Sequence, residues 1–241
     1  MPIKGLSDTV RMPRLGKIRL GVKERNEKGV EYPRAVDFFV CPDEVKAVYG
    51  EEPRELDIIF PVEDESRFAS LFYRCYSKTR GLVCRGDGEK ADRLVDLRKL
   101  REGSSEIASK DASEVGWYKV FCPGRDCEYY AKGHCREVLI LQFLLPRVPG
   151  VGVWQLDTSS YHSIVNINSM IKLVRSICGR ISGIPLKLVV EMKEVAPSGL
   201  KKRVPVLNLK VPYATIIELR EMTNQLPPPE KGIILPPPEE E

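Results

Sequence analysis

Apolar and polar residues alternate through Lys17-Ile-Arg-Leu-Gly-Val-Lys23, the period of a strand with one buried face. Ala35–Val40 and Leu56–Phe60 read as further strands. Leu71–Tyr76 and Gly81–Cys84 read as a strand pair or one bent strand, followed by a tight turn at Gly86-Asp-Gly88. Trp117–Phe121 and Val151–Leu156 are also strand-like, and Val138–Leu145 is apolar enough for a central strand. Short helices are expected from Pro42 to Val48, closed by Gly50, and over Glu65–Leu71.

The strongest helical period follows Ser159 and Ser160. There Ile164, Ile167, Ile171, Val174, Ile177 or Cys178, and Ile181 recur every three to four residues until Gly183-Ile-Pro185. A hairpin of Leu186–Val195 and Arg203–Val211 comes next, joined by a loop over Ala196–Lys202. Ala214–Met222 reads as a final helix. Residues 89–115 are charged and poor in aromatics, and read as an insertion or mobile loop with one short helix around Ala91–Leu100. The first fifteen residues read as loosely ordered.

Strands without regular strand–helix alternation predict an α+β fold. Its core is either a mainly antiparallel sheet or an OB-like partly open barrel, with a pinned loop and one amphipathic helix. Residues 1–225 are expected to form a single domain with an insertion near 84–135. Residues 226–241 read as an acidic, proline-rich tail that does not pack.

Composition is that of a soluble globular protein, with 42% hydrophobic and 30% charged residues. Met1–Leu20 is basic and lacks a continuous apolar stretch, so no export signal is expected. No apolar run is long enough to span a membrane, which predicts a cytoplasmic protein. The net charge is only +4, but residues 1–34 hold nine Lys/Arg against four Asp/Glu, and the last fifteen hold four Glu and one Lys. That asymmetry suits contact with nucleic acid or an acidic partner, and equally a solvated surface.

The seven cysteines are odd in number, which favours metal binding in a reducing compartment over a disulfide framework. Cys122, Cys127 and Cys135 lie in a short polar run containing Pro and Gly. Three thiolates so close need one more soft ligand to complete a tetrahedral structural Zn2+ site. Cys84, beside the Gly86–Gly88 turn, is the expected fourth. His134 adjoins Cys135, and neighbouring residues seldom chelate one ion together. Cys75 is a weaker candidate because no turn presents it. Cys41 and Cys178 sit in apolar contexts, as buried thiols do. A catalytic metal needs an open position and a general base, and His134 and His162 are the only histidines.

The cysteine loop also carries Arg125, Tyr129, Tyr130 and Lys132, a mixture suited to stacking and charge contacts with single-stranded nucleic acid. Lys201, Lys202 and Arg203 form a second basic cluster at the hairpin tip. In both places the plain alternative is a solvated surface, with the tyrosines packed over the metal. Thr158-Ser-Ser160 reads as a helix cap. No P-loop, HExxH or GxSxG motif occurs.

Four segments together resemble the recombination directionality factor-like proteins of phages and prophages. They are Cys84-Arg-Gly-Asp-Gly88, Cys122-x4-Cys127-x7-Cys135, Gly152–Ser160 and Ile164-x-Asn-Ile-Asn168. The resemblance covers residues 80–195. It implies a non-enzymatic accessory factor, in the cytoplasm of a bacterial host, that binds a large serine integrase and turns it from integration to excision. DNA would be met directly or through the integrase. The rival readings are a single-stranded DNA-binding or replication accessory protein of phage type and, third, a metal-dependent hydrolase or nuclease.

Overall fold

A computed structural model describes residues 10–25, 31–196, 201–213, 215–229 and 232–240. From the N-terminus, strands β1 (Val10–Arg11), β2 (Arg14–Arg25) and β3 (Glu31–Val40) lead to helix α1 (Asp43–Tyr49). Then come β4 (Glu55–Ile59), α2 (Glu65–Phe68), β5 (Ala69–Ser77), β6 (Gly81–Gly86) and β7 (Lys90–Asp96). After α3 (Leu97–Arg101) follow β8 (Val115–Phe121), a 3-10 turn (Gly124–Asp126) and α4 (Glu128–Ala131). The remainder comprises β9 (Cys135–Phe143), β10 (Val153–Thr158), α5 (Tyr161–Cys178), β11 (Pro185–Val195), β12 (Lys202–Lys210), α6 (Ile216–Gln225) and β13 (Ile233–Ile234).

The largest hydrogen-bonded order is β3-β2-β10-β9-β5-β6-β7-β8, and the smaller ones are β12-β11-β4 and β1-β13. β2–β3, β5–β6, β6–β7, β7–β8, β11–β12 and β11–β4 pair antiparallel, while β10–β2 and β1–β13 are parallel. The fold is therefore α+β and mostly antiparallel. Among the described residues the eight-stranded order does not close into a barrel: it ends at β3 and β8.

The chain divides into two compact units, Met1–Ala69 with Ile140–Pro237, and Ser70–Leu139 with Pro238–Glu241. Ser70–Leu139, which contains the insertion expected near 84–135, gathers a core cluster of its own around Cys75, Val83, Cys84, Ala91, Cys122 and Cys135. In the first unit, α5 starts at Ser160, whose hydroxyl accepts from the Ser163 amide. Its predicted apolar stripe of Ile164, Ile167, Ile171 and Val174 is buried. The helix packs on β12, where the Ser163 hydroxyl accepts from the Leu207 amide at 2.9 Å. It stops at Gly179, in the left-handed region at φ +71°, before the predicted Gly183-Ile-Pro185 break. The Glu63 carboxylate accepts from the amides of Ile181 (3.1 Å) and Ser182 (2.8 Å), tying down the chain beyond.

The expected loose tail is packed in this unit as far as Pro237. Ile233 and Ile234 pair with Val10 and Arg11, and the Gln142 amide donates to the Pro236 carbonyl at 3.0 Å. Polyproline-like backbone has no internal hydrogen bonds, so its carbonyls are free to accept these donors. Within the expected tail, positions 230, 231 and 241 lie outside the described residues, as do 1–9, Ala214 and the hairpin-loop positions 197–200.

In the second unit β5, β6, β7 and β8 form a meander. β7 occupies much of the segment expected to be a helix. Its neighbours satisfy its backbone on both edges, and Ala91 and Val95 are buried on one face. Only α3 is helical there, begun by the Asp96 carboxylate accepting from the Arg98 amide. Helix α2 likewise ends at Phe68, three residues before the predicted Leu71, because the chain enters β5.

Candidate metal centre

Strand pairing delivers the first two thiols. Cys75 on β5 stands directly opposite Cys84 on β6, so both side chains share one face. Cys84 is in turn opposite Arg93 on β7. Cys122 follows β8, its amide bonded to the Glu89 carbonyl at 3.0 Å. Cys127 precedes α4, and its carbonyl accepts from the amides of Tyr130 and Ala131, both at 2.9 Å. Cys135 opens β9.

These five thiols line one cavity of about 10 Å³ together with Tyr73, Arg93 and Tyr129. That is room for roughly one water-sized sphere. Burial, reinforced by the neighbouring thiols, pushes Cys135 up to about 12 and Cys75 up to about 11. Cys84 is also raised, by burial first, although a hydrogen bond from Arg93 pulls against the shift. As they stand Cys75, Cys84 and Cys135 are held protonated at neutral pH, and an incoming metal would have to displace the protons of those it binds.

Among the described residues, no group of three or more His, Cys, Asp or Glu is arranged to hold a metal ion. The cavity collects the donors, then, without setting them in a ligating array. Thiol donors are the kind that structural Zn2+ takes, and four thiolates around a divalent cation leave net negative charge. Arg93, hydrogen-bonded to Cys84 and to the Ser105 carbonyl at 3.0 Å, is placed to offset it. The four expected ligands are together here, and Cys75 joins them. Sequence reasoning discounted Cys75 for lack of a neighbouring turn. The missing signal was hairpin register, which a bulge between Cys75 and Tyr76 obscures.

The predicted nucleic-acid residues of this loop have partners within the unit. Arg125 pairs with Glu137 at 2.8 Å, and the Tyr130 hydroxyl donates to the same carboxylate at 3.1 Å. Lys132 pairs with Glu128 at 3.1 Å. The Tyr129 hydroxyl accepts from the Ile107 amide, and the Arg93 guanidinium lies 5.4 Å from its ring centroid. In the first unit, Lys201 pairs with Glu194 at 3.0 Å. Lys202 and Arg203 border an open cleft of about 770 Å³ that Arg34 and Asp37 also line. Cys41 is buried, with its thiol pushed up to about 12 by burial, whereas Cys178 is only half-buried. Thr158 and Ser160 act locally, the Thr158 hydroxyl accepting from the Ser160 amide at 3.2 Å.

Comparison with known families identifies a match to the Gp3-like group, described as recombination directionality factor-like, across residues 15–212. The chain belongs to this family. The directionality factor-like match extends well beyond residues 80–195 and takes in the N-terminal third, where sequence reasoning found nothing to compare. No curated protein and no solved structure matches the chain. Among the described residues, no helix of this family member is long and apolar enough to cross a membrane.

Proposed function

We propose that the chain binds a large serine integrase and switches it from integration to excision, as a phage or prophage accessory factor in the bacterial cytoplasm. The observation that carries this reading is the family match over residues 15–212. The factor would act by differential affinity for two arrangements of the integrase, without catalysing a reaction itself. Equal affinity for both, however tight, would redirect nothing. DNA would be engaged directly or through the integrase.

In the same reading Zn2+, held by Cys84, Cys122, Cys127 and Cys135, pins the loop between β8 and β9. Support comes from the shared cavity of thiols and from the Arg93 cation beside it. The metal would contribute folding energy and a rigid loop, not chemistry.

The test is recombination between attL and attR by the large serine integrase of the same phage or prophage, with and without the purified chain. Product that depends on the chain is the expected result. An integrase that recombines attL with attR equally well alone would overturn the reading. Metal analysis should give one zinc per chain, lost in Cys127→Ser. A Cys75→Ser protein that lost zinc while Cys84→Ser kept it would exchange those two ligands.

A further inference from the structure

The sheet of the second unit has another face, which the cysteine centre does not use. On β8, Trp117, Lys119 and Phe121 are alternate residues and so share a face, and all three are exposed, Trp117 by 53% and Phe121 by 74%. Register carries the same face across the sheet. Phe121 is opposite Lys90 and Lys119 opposite Asp92 on β7. Asp92 is opposite Arg85 on β6, and Arg85 opposite Arg74 on β5. Phe72 belongs there too, since the guanidinium carbons of Arg74 and Arg85 lie 5.5 and 5.3 Å from its ring centroid.

Cations therefore alternate with aromatic rings on this face. Lys90 and Lys119 have no ion-pair partner among the described residues. Asp92, a carboxylate among them, is engaged by Arg85 at 3.6 Å. At the β5 end the face is closed, because Arg74 is fully buried there. The Glu240 carboxylate, within the same unit, accepts from Arg74 at 3.1 Å and from the Tyr76 hydroxyl at 2.7 Å. By register Phe72 lies level with Phe121, three strand spacings or about 14 Å away, and Trp117 stands about 13 Å from Phe121 along β8.

We propose that this face binds single-stranded nucleic acid. Unpaired bases stack on Trp117 and Phe121, while Lys90 and Lys119 neutralise phosphates. Sheets with exposed aromatics hold two or three bases in this way, and stacking on them tolerates any sequence. A duplex keeps its base faces covered and offers only its phosphates. A protein partner is the poorer fit, because charges are depleted at the centre of such interfaces and Lys119 lies between the two exposed rings. The inference stands apart from the integrase reading and would survive its failure.

The experiment titrates the full chain into fluorescein-labelled oligo-dT and into a duplex of the same length. Trp117 is the exposed one of two tryptophans, Trp154 being buried, so its emission reports on the same surface. Oligo-dT should quench that emission and bind in preference to the duplex, with affinity falling as salt rises. Trp117→Ala and Phe121→Ala should each weaken binding roughly tenfold. Trp117→Phe should retain most of it. Unchanged circular dichroism would show that these exposed substitutions leave the fold intact. Absence of oligo-dT binding at low salt, or variants that bind as tightly as the parent, would overturn the proposal. So would a Trp117→Ala protein that lost only integrase capture, which would make the face a protein-docking surface.

Discussion

A Cβ on Gly86 would stand 2.6 Å from the Cys122 sulfur and 2.9 Å from the Ala91 Cβ. The position has no room for a side chain, because β6 crosses directly beneath the thiol cavity. Gly86→Ala is therefore expected to destabilise the chain by about 1–3 kcal/mol through overpacking. If the cavity holds zinc as proposed, the substitution should also weaken its retention, with urea unfolding and zinc competition as the two readouts. Glu63 offers a different test. Burial alone would raise its pKa, but hydrogen bonds from Ser182 and Ile181 outweigh burial and hold it below the ordinary carboxylate value. A depressed folded-state pKa stabilises the protein above the unfolded value, and that stability is lost as pH falls through the folded one. Stability should thus decline in acid, and Glu63→Gln should flatten the decline in thermal melts taken across that range. At this scale thiol chemistry was readable along the chain for Cys84, Cys122, Cys127 and Cys135. The role of Gly86 was not, because its neighbour Cys122 arrives from another strand.

Among the elements, α5 was the most legible. Its apolar period, its Ser160 cap and its buried face all agree, since a helix organises its own backbone before it meets anything else. β7 was the least legible. Lys90-Ala-Asp-Arg-Leu-Val-Asp96 has the charge of a solvated segment, and it becomes a strand because β6 and β8 supply both hydrogen-bonding edges. The C-terminal segment shows the same override. Composition marks it as unpacked, yet the Glu240 carboxylate meets Arg74, whose side chain is fully buried and also donates to the Val138 carbonyl at 2.6 Å. Glu240→Gln leaves that buried cation without its counter-charge. The expected loss is about 1–3 kcal/mol, read as a lower denaturant midpoint.

For the molecule as a whole, the zinc reading makes a regional prediction. Chelation should speed amide exchange across Ser70–Leu139, the unit that holds all five cavity cysteines. Exchange that stayed unchanged in that unit would count against a structural metal. The amino-acid sequence by itself determined the α+β class, most of the strands, helix α5, the grouping of Cys84, Cys122, Cys127 and Cys135, and the family. Each of these depends on local period or on residue type. Only the tertiary structure decided that β7 is a strand, that Cys75 joins the thiol cavity, that the expected tail packs, and that Trp117, Lys119 and Phe121 share a face with Arg85 and Phe72. All four depend on which strands pair and in what register, and no local residue pattern encodes that.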